Sequence, residues 1–73
     1  MSIFADRIKE CRKNINKTQS DVAHALGITE SGYQKYELGN NEPKMETLNK
    51  LADYFDVSID YLMGRTNNSK LHI

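Results

Sequence analysis

The chain has one cysteine, one proline, no long apolar run and no surplus of either charge. A lone cysteine, Cys11, rules out an internal disulfide framework and any metal site built from several thiolates, and it suits a reduced, intracellular setting. No apolar stretch approaches the length of a membrane span, and no charged start leads into an apolar run, so neither a span nor a secretory leader is expected. Ten basic and ten acidic side chains cancel to zero net charge. That balance speaks against a nucleic-acid partner, because such domains are usually basic. A glycine-rich phosphate loop, paired catalytic carboxylates and a Ser/His/Asp set are all missing, so an enzyme is not expected. With 73 residues the chain forms one small domain with a modest core. A locally connected all-helical fold, or help from a partner chain, is the natural solution.

The charges are unevenly placed. Residues 1–35 carry six basic and four acidic side chains, and residues 36–73 carry four and six. This mild asymmetry allows a basic face and an acidic far end. Non-specific affinity for duplex is then weaker than a strongly basic domain would have.

The most informative stretch is T-Q-S-D-V-A-H-A-L-G-I-T-E-S-G-Y-Q-K-Y-E, Thr18 to Glu37. Thr18 followed by Asp21 has capping-box spacing, with Asp in place of the better Glu. Val22, Ala23 and Leu26 lie on one narrow apolar face. Gly27 ends that helix, Ile28 is an apolar plug and Thr29 caps a second helix. The spacing predicts helices over about Gln19–Leu26 and Glu30–Leu38, the plan of a helix-turn-helix.

An earlier helix starts after Ser2, with Asp6 near its start and Phe4, Ile8 and Cys11 as a core stripe. Gly39, Asn40 and Asn41 form a loop, and Pro43 blocks continuation of any helix from before it. A fourth helix is predicted over Met45–Phe55, with Met45, Leu48, Leu51, Ala52 and Phe55 as its apolar stripe and Lys44 as a poor cap. Ser58 caps a fifth, Ile59–Met63, which Gly64 ends. Arg65–Ile73 is polar and lacks periodicity, and reads as a frayed tail. The domain is therefore assigned to residues 1–66 and the tail to 67–73.

In the third helix Tyr33, Tyr36 and Glu37 recur at i, i+3 and i+4, so they face the body. The opposite side presents Glu30, Ser31, Gln34 and Lys35, all able to hydrogen-bond a base edge in a major groove wide enough for a helix. Lys35 can donate to guanine, Glu30 can accept from cytosine N4, and the methyl of Thr29 can touch thymine. The bland alternative is a solvated polar face. The second helix offers its N-terminal amides and positive dipole end, at Thr18 and Gln19, to a phosphate. Asn40 and Lys44 follow as phosphate candidates.

The motifs T-Q-x-x-x-A-x-x-L-G-I-T, K-Y-E-x-G, E-P-x-x-E-T-L-x-K-L-A and V-S-I-D-Y-L-M-G-R-T, in this order and spacing, resemble the Cro/lambda-repressor-type (Xre) helix-turn-helix proteins over roughly residues 5–66. The resemblance implies an all-α, five-helix lambda-repressor-like DNA-binding domain. It implies base reading by Glu30, Ser31 and Lys35, and a phosphate contact by Gln19 that also braces the recognition helix. It implies a structural salt bridge between Arg12 and Glu37. Four departures stand out. Glu30 replaces the Gln or Arg common there. Lys17 replaces an apolar residue, which weakens the staple onto the second helix unless Ile15 substitutes. Asn16 stands for Gly, and Asn40 and Asn41 for cations.

The reading is a sequence-specific, cytoplasmic regulator of transcription, a repressor. It binds a palindromic operator in double-stranded DNA as a homodimer, with no cofactor, metal, membrane or small-molecule ligand expected. The dimer interface is placed at Ile59, Tyr61, Leu62 and Met63. The runner-up is a protein-interaction module, such as an antitoxin-like partner, on the same fold. Cys11 is expected in the core, and His24 and His72 on the surface. Asp53, Asp56 and Asp60 read as solvated acids. Tyr54 and Tyr61 are either core edge or dimer contact.

Overall fold

The computed structural model describes residues 2–69. These form five helices: α1 (Ile3–Asn14), α2 (Gln19–Leu26), α3 (Glu30–Leu38), α4 (Met45–Phe55) and α5 (Ile59–Leu62). The fold is all-α. Four of the helix starts are capped by a hydroxyl. Ser2 accepts from the Ala5 amide, Thr18 from Asp21, Thr29 from Gly32 and Ser58 from Tyr61. Lys44, at the start of α4, makes no side-chain cap, so that helix depends on its buried face.

The ends follow from left-handed residues. Gly27 and Gly39 close α2 and α3, and Asp56 closes α4 at φ 57°. Asn16 also sits at φ 57°, where its short polar side chain is better tolerated than most. α5 is one residue shorter than expected, because Met63 is already its cap.

The core is built from Ile8 of α1, Val22 of α2, Tyr33 of α3, Leu51 of α4 and Leu62 of α5, all essentially without exposure. Each helix thus contributes one fully enclosed side chain. Burial of such a group stabilises by about 1.5–3 kcal/mol. α2 packs on α3, α1 packs on α3, α4 and α5, and α4 closes the bundle on α2 and α5.

Three expectations change. Met45 falls on the apolar stripe of α4 by spacing but is 65% exposed, and the buried face of α4 begins at Leu48. Leu62 was assigned to a dimer interface but is fully buried in this chain's own core, so a partner cannot reach it. The segment after α5 was expected to fray, but Arg7 holds its described part. Arg7 Nη1 donates to the carbonyls of Tyr61 and Thr66, the latter at 2.6 Å, and Nη2 donates to Asn67 Oδ1 at 2.9 Å. The guanidinium carbon lies 4.1 Å from the centre of the Tyr61 ring, a cation–π arrangement. The Ser58 amide donates to the Ser69 carbonyl at 3.1 Å. The rest of the predicted tail, and His72 with it, lies outside the described residues.

Candidate nucleic-acid interface

α3 is short and has little apolar surface of its own. Besides the enclosed Tyr33, an ion pair under its C-terminal half holds it. Arg12 Nε lies 2.7 Å from Glu37 Oε2, and Arg12 Nη2 lies 3.0 Å from Glu37 Oε1. This two-point geometry is the strong form of the arginine–carboxylate contact. Glu37 is buried, with only 2% of its side chain exposed, and Arg12 is 13% exposed. The remaining Arg12 donor, Nη1, reaches the Lys17 carbonyl at 3.0 Å and so fastens the α1–α2 turn as well. With its guanidinium engaged in this way, Arg12 is not presented to a phosphate.

Gln19 completes the brace. Its Nε2 donates to Glu37 Oε1 at 3.0 Å, which ties the start of α2 to α3. Burial pushes the Glu37 carboxyl upward, but Arg12 first, then Tyr33 and Gln19, outweigh it and leave the pKa below the usual carboxylate value. The Tyr33 hydroxyl is enclosed beside this cluster and makes no hydrogen bond among the described residues. Burial first, and the close approach of the Glu37 carboxylate second, raise its pKa far above the ordinary phenol value.

With Tyr33 and Glu37 turned inward, the opposite side of α3 faces outward. Thr29, Glu30, Ser31 and Lys35 are exposed and Gln34 is half-buried. The predicted base-reading set therefore shares one helical face. The Thr29 hydroxyl is engaged as the cap of α3, accepting from the Gly32 amide at 3.0 Å. Gln34 does not stand alone either. Its Nε2 donates to Glu30 Oε2 at 3.3 Å, an internal contact that reading single residues did not find. The i, i+4 spacing of a Glu and a Gln was the available signal.

At the start of α2 the capping box is complete. Asp21 receives the Thr18 amide at 2.9 Å and gives its own amide to the Thr18 hydroxyl at 3.0 Å. These bonds with Thr18 hold Asp21 below the usual carboxylate range. The amides of Gln19 and Ser20 stand outside the box, at the end of the helix where backbone N–H groups have no intrahelical acceptor. Asn40 and Lys44, in the loop after α3, are exposed. Of the proposed dimer residues, Ile59 and Tyr61 are half-buried and Met63 is 48% exposed.

Ile15 is 43% exposed and does not replace the missing staple at Lys17. Cys11 is half-buried against the core, and burial raises its pKa, so it is a poor nucleophile. Among the described residues no three His, Cys, Asp or Glu side chains converge on a metal-sized site. No helix among them is long and apolar enough to cross a membrane.

A family profile described as Helix-turn-helix matches residues 8–62, which takes in the brace and the exposed face of α3 together. The chain belongs to the helix-turn-helix family. Among the relatives of this helix-turn-helix chain is the uncharacterized HTH-type transcriptional regulator YqaE of Bacillus subtilis, 42% identical over 69 residues, or 94% of this chain and 60% of that protein. Another is the cryptic phage CTXphi transcriptional repressor RstR of Vibrio cholerae, 48% identical over 60 residues, or 82% of this chain and 54% of that protein. The chain thus spans little more than half the length of these curated relatives. In three dimensions it is similar to the N-terminal DNA-binding domain of SinR from Bacillus subtilis, with a TM-score of 0.76 at 28% identity, covering 82% of this chain and 88% of that one. It is also similar to the SOS-response transcriptional repressor LexA from Eubacterium rectale, with a TM-score of 0.80 at 27% identity, covering 97% of this chain and 72% of that one.

Proposed function

We propose that this chain is the DNA-reading domain of a transcriptional repressor, acting as a homodimer on a palindromic operator. The observation that carries the proposal is the outward face of α3, where Thr29, Glu30, Ser31 and Lys35 are exposed on a helix anchored from behind by Arg12, Glu37 and Gln19. A recognition helix needs both properties: donors and acceptors toward the groove, and a rigid mount. Thr18, Gln19, Asn40 and Lys44 position that helix on the phosphates. The family and the repressor relatives support the regulatory role. That role places the protein in the cytoplasm with the DNA.

Dimerisation is part of the proposal because one module of this size touches too few base pairs for much specificity. Two copies would set two α3 helices about 34 Å apart in successive major grooves. Ile59, Tyr61 and Met63 remain the interface residues in this reading. The folded unit runs past residue 66, through the segment that Arg7 holds.

The test is selection of duplexes from a random pool by the purified chain, followed by sequencing and by sedimentation of the selected complex. A palindrome with half-site centres about 10 base pairs apart, bound by two chains, is expected. Absence of enrichment at low salt overturns the proposal and favours a protein partner for the same face.

A further inference from the structure

Glu30 is the anomaly of the exposed face. It puts a negative charge where the helix is to meet a polyanion. It also has a partner on the same face, since Gln34 Nε2 donates to Glu30 Oε2 at 3.3 Å. We propose that Glu30 determines a cytosine in each half-site and that Gln34 is the positioning residue that aims it, rather than a base reader itself. This rests on the DNA-reading function proposed above.

The argument starts from hydrogen-bond types. An ionised carboxylate only accepts. In the major groove, guanine and thymine offer acceptors to a side chain, and adenine places its N7 acceptor beside its N6 donor. Cytosine offers the N4 donor with no acceptor beside it on the same base. An acceptor-only group therefore matches cytosine and is repelled, in part or wholly, by the other three. Discrimination arises as much by rejection as by attraction.

A lone Glu on a helix surface is a poor reader, because it has many rotamers and prefers water. Gln34, one turn later and half-buried, restricts it. Its amide satisfies one lone pair of Oε2 and leaves Oε1 free to accept. The neighbouring cation does not serve this purpose, because Lys35 lies five residues on, off the i, i+4 row. The charge balance is consistent with such a division of labour. A chain with zero net charge has little non-specific attraction to duplex, so an acid in the interface sharpens choice at the expense of generic affinity.

The experiment is the same pool selection on the full chain, run with wild type, Glu30→Gln and Gln34→Ala, with circular dichroism confirming that each variant is folded. Wild type is expected to enrich cytosine at one position per half-site by roughly five- to a hundredfold over other bases, the range of one good base contact. Glu30→Gln is expected to move that position to adenine, which an amide can pair with at two points, and to leave the other positions unchanged. Gln34→Ala is expected to keep cytosine there with a several-fold weaker preference, again at that position alone. If wild type selects a motif that Glu30→Gln leaves unaltered, the proposal fails while DNA reading stands. A shift at a different base position in Gln34→Ala shows that Gln34 reads a base and overturns its positioning role. No motif with wild type removes the DNA-reading function and this proposal with it.

Discussion

The Arg12–Glu37 pair is the contact on which α3 depends, and breaking it tests the mount directly. Replacing Arg12 by Met keeps most of the stem volume and removes the guanidinium. Glu37, with 2% of its side chain exposed, then keeps the 3.0 Å bond from Gln19 and the neighbouring Tyr33 hydroxyl but no cation. A buried carboxylate stripped of its cation costs about 3–5 kcal/mol. Total stability for a chain this size is about 4–11 kcal/mol, so Arg12→Met should lose between about a quarter and all of it at pH 7. Replacing both partners, as in Arg12→Met/Glu37→Leu, removes the charge as well as its counter-ion. The double variant should recover most of the loss, because an apolar pair of similar volume is often neutral or better in such a site.

Lowering the pH adds a second signature. In wild type the Glu37 pKa lies below its ordinary value. Its share of stability is therefore complete above the unfolded carboxylate value of about 4.3, and is lost as pH falls through the lower folded value. In Arg12→Met, burial, the largest influence on this carboxyl, is opposed by Tyr33 and Gln19 alone, and the shift is expected to reverse. Protonation then favours the folded state, and the gap to wild type should narrow as pH falls from 7 toward 5. Urea unfolding followed by far-ultraviolet circular dichroism measures each arm. A cost below about 1 kcal/mol for Arg12→Met, or losses that simply add in the double variant, would refute the reasoning. Either result would mean that the pair behaves as an exposed one.

Three further outcomes are expected. Gly64 sits at φ 80°, and a Cβ there would lie 2.8 Å from Ile3 Cγ2, whereas Gly27 at φ 72° has open space around it. Gly27→Ala should cost about 1–2 kcal/mol for the left-handed backbone alone, and Gly64→Ala measurably more in the same urea titration; equal costs would show that Ile3 simply moves aside. Arg7→Met removes the donors to the Tyr61 and Thr66 carbonyls and to Asn67, costing about 1–3 kcal/mol. It should also speed hydrogen exchange at the Ser58 amide, which is bonded to the Ser69 carbonyl, and unchanged exchange there would separate the segment from Arg7. Asn40→Lys adds a cation to the exposed loop after α3. The affinity for generic duplex should rise, and the log–log salt slope should steepen by about one; an unchanged slope would place Asn40 away from the phosphates.

Much of this molecule is legible in its local chemistry. Hydroxyl caps at Ser2, Thr18, Thr29 and Ser58 and stops at Gly27 and Gly39 mark helix ends, because capping and left-handed closure involve residues only a few positions apart. The inward turn of Tyr33 and Glu37 follows from period alone, and with it the exposed face of α3. Other features were settled by contacts between distant parts of the chain. Met45 fits the apolar stripe of α4 in register yet is exposed, since which turns of a helix are covered depends on its neighbours. Leu62 reads as an interface residue, and only the packing of α1 and α4 against α5 makes it core. The segment after α5 has no periodicity to announce it, and it is held by Arg7, more than fifty residues away in the chain. The depth of Glu37 is of the same kind. Motif resemblance names its partner, but only packing decides how far both are removed from water, and that depth makes the pair a mount for α3 rather than a surface contact.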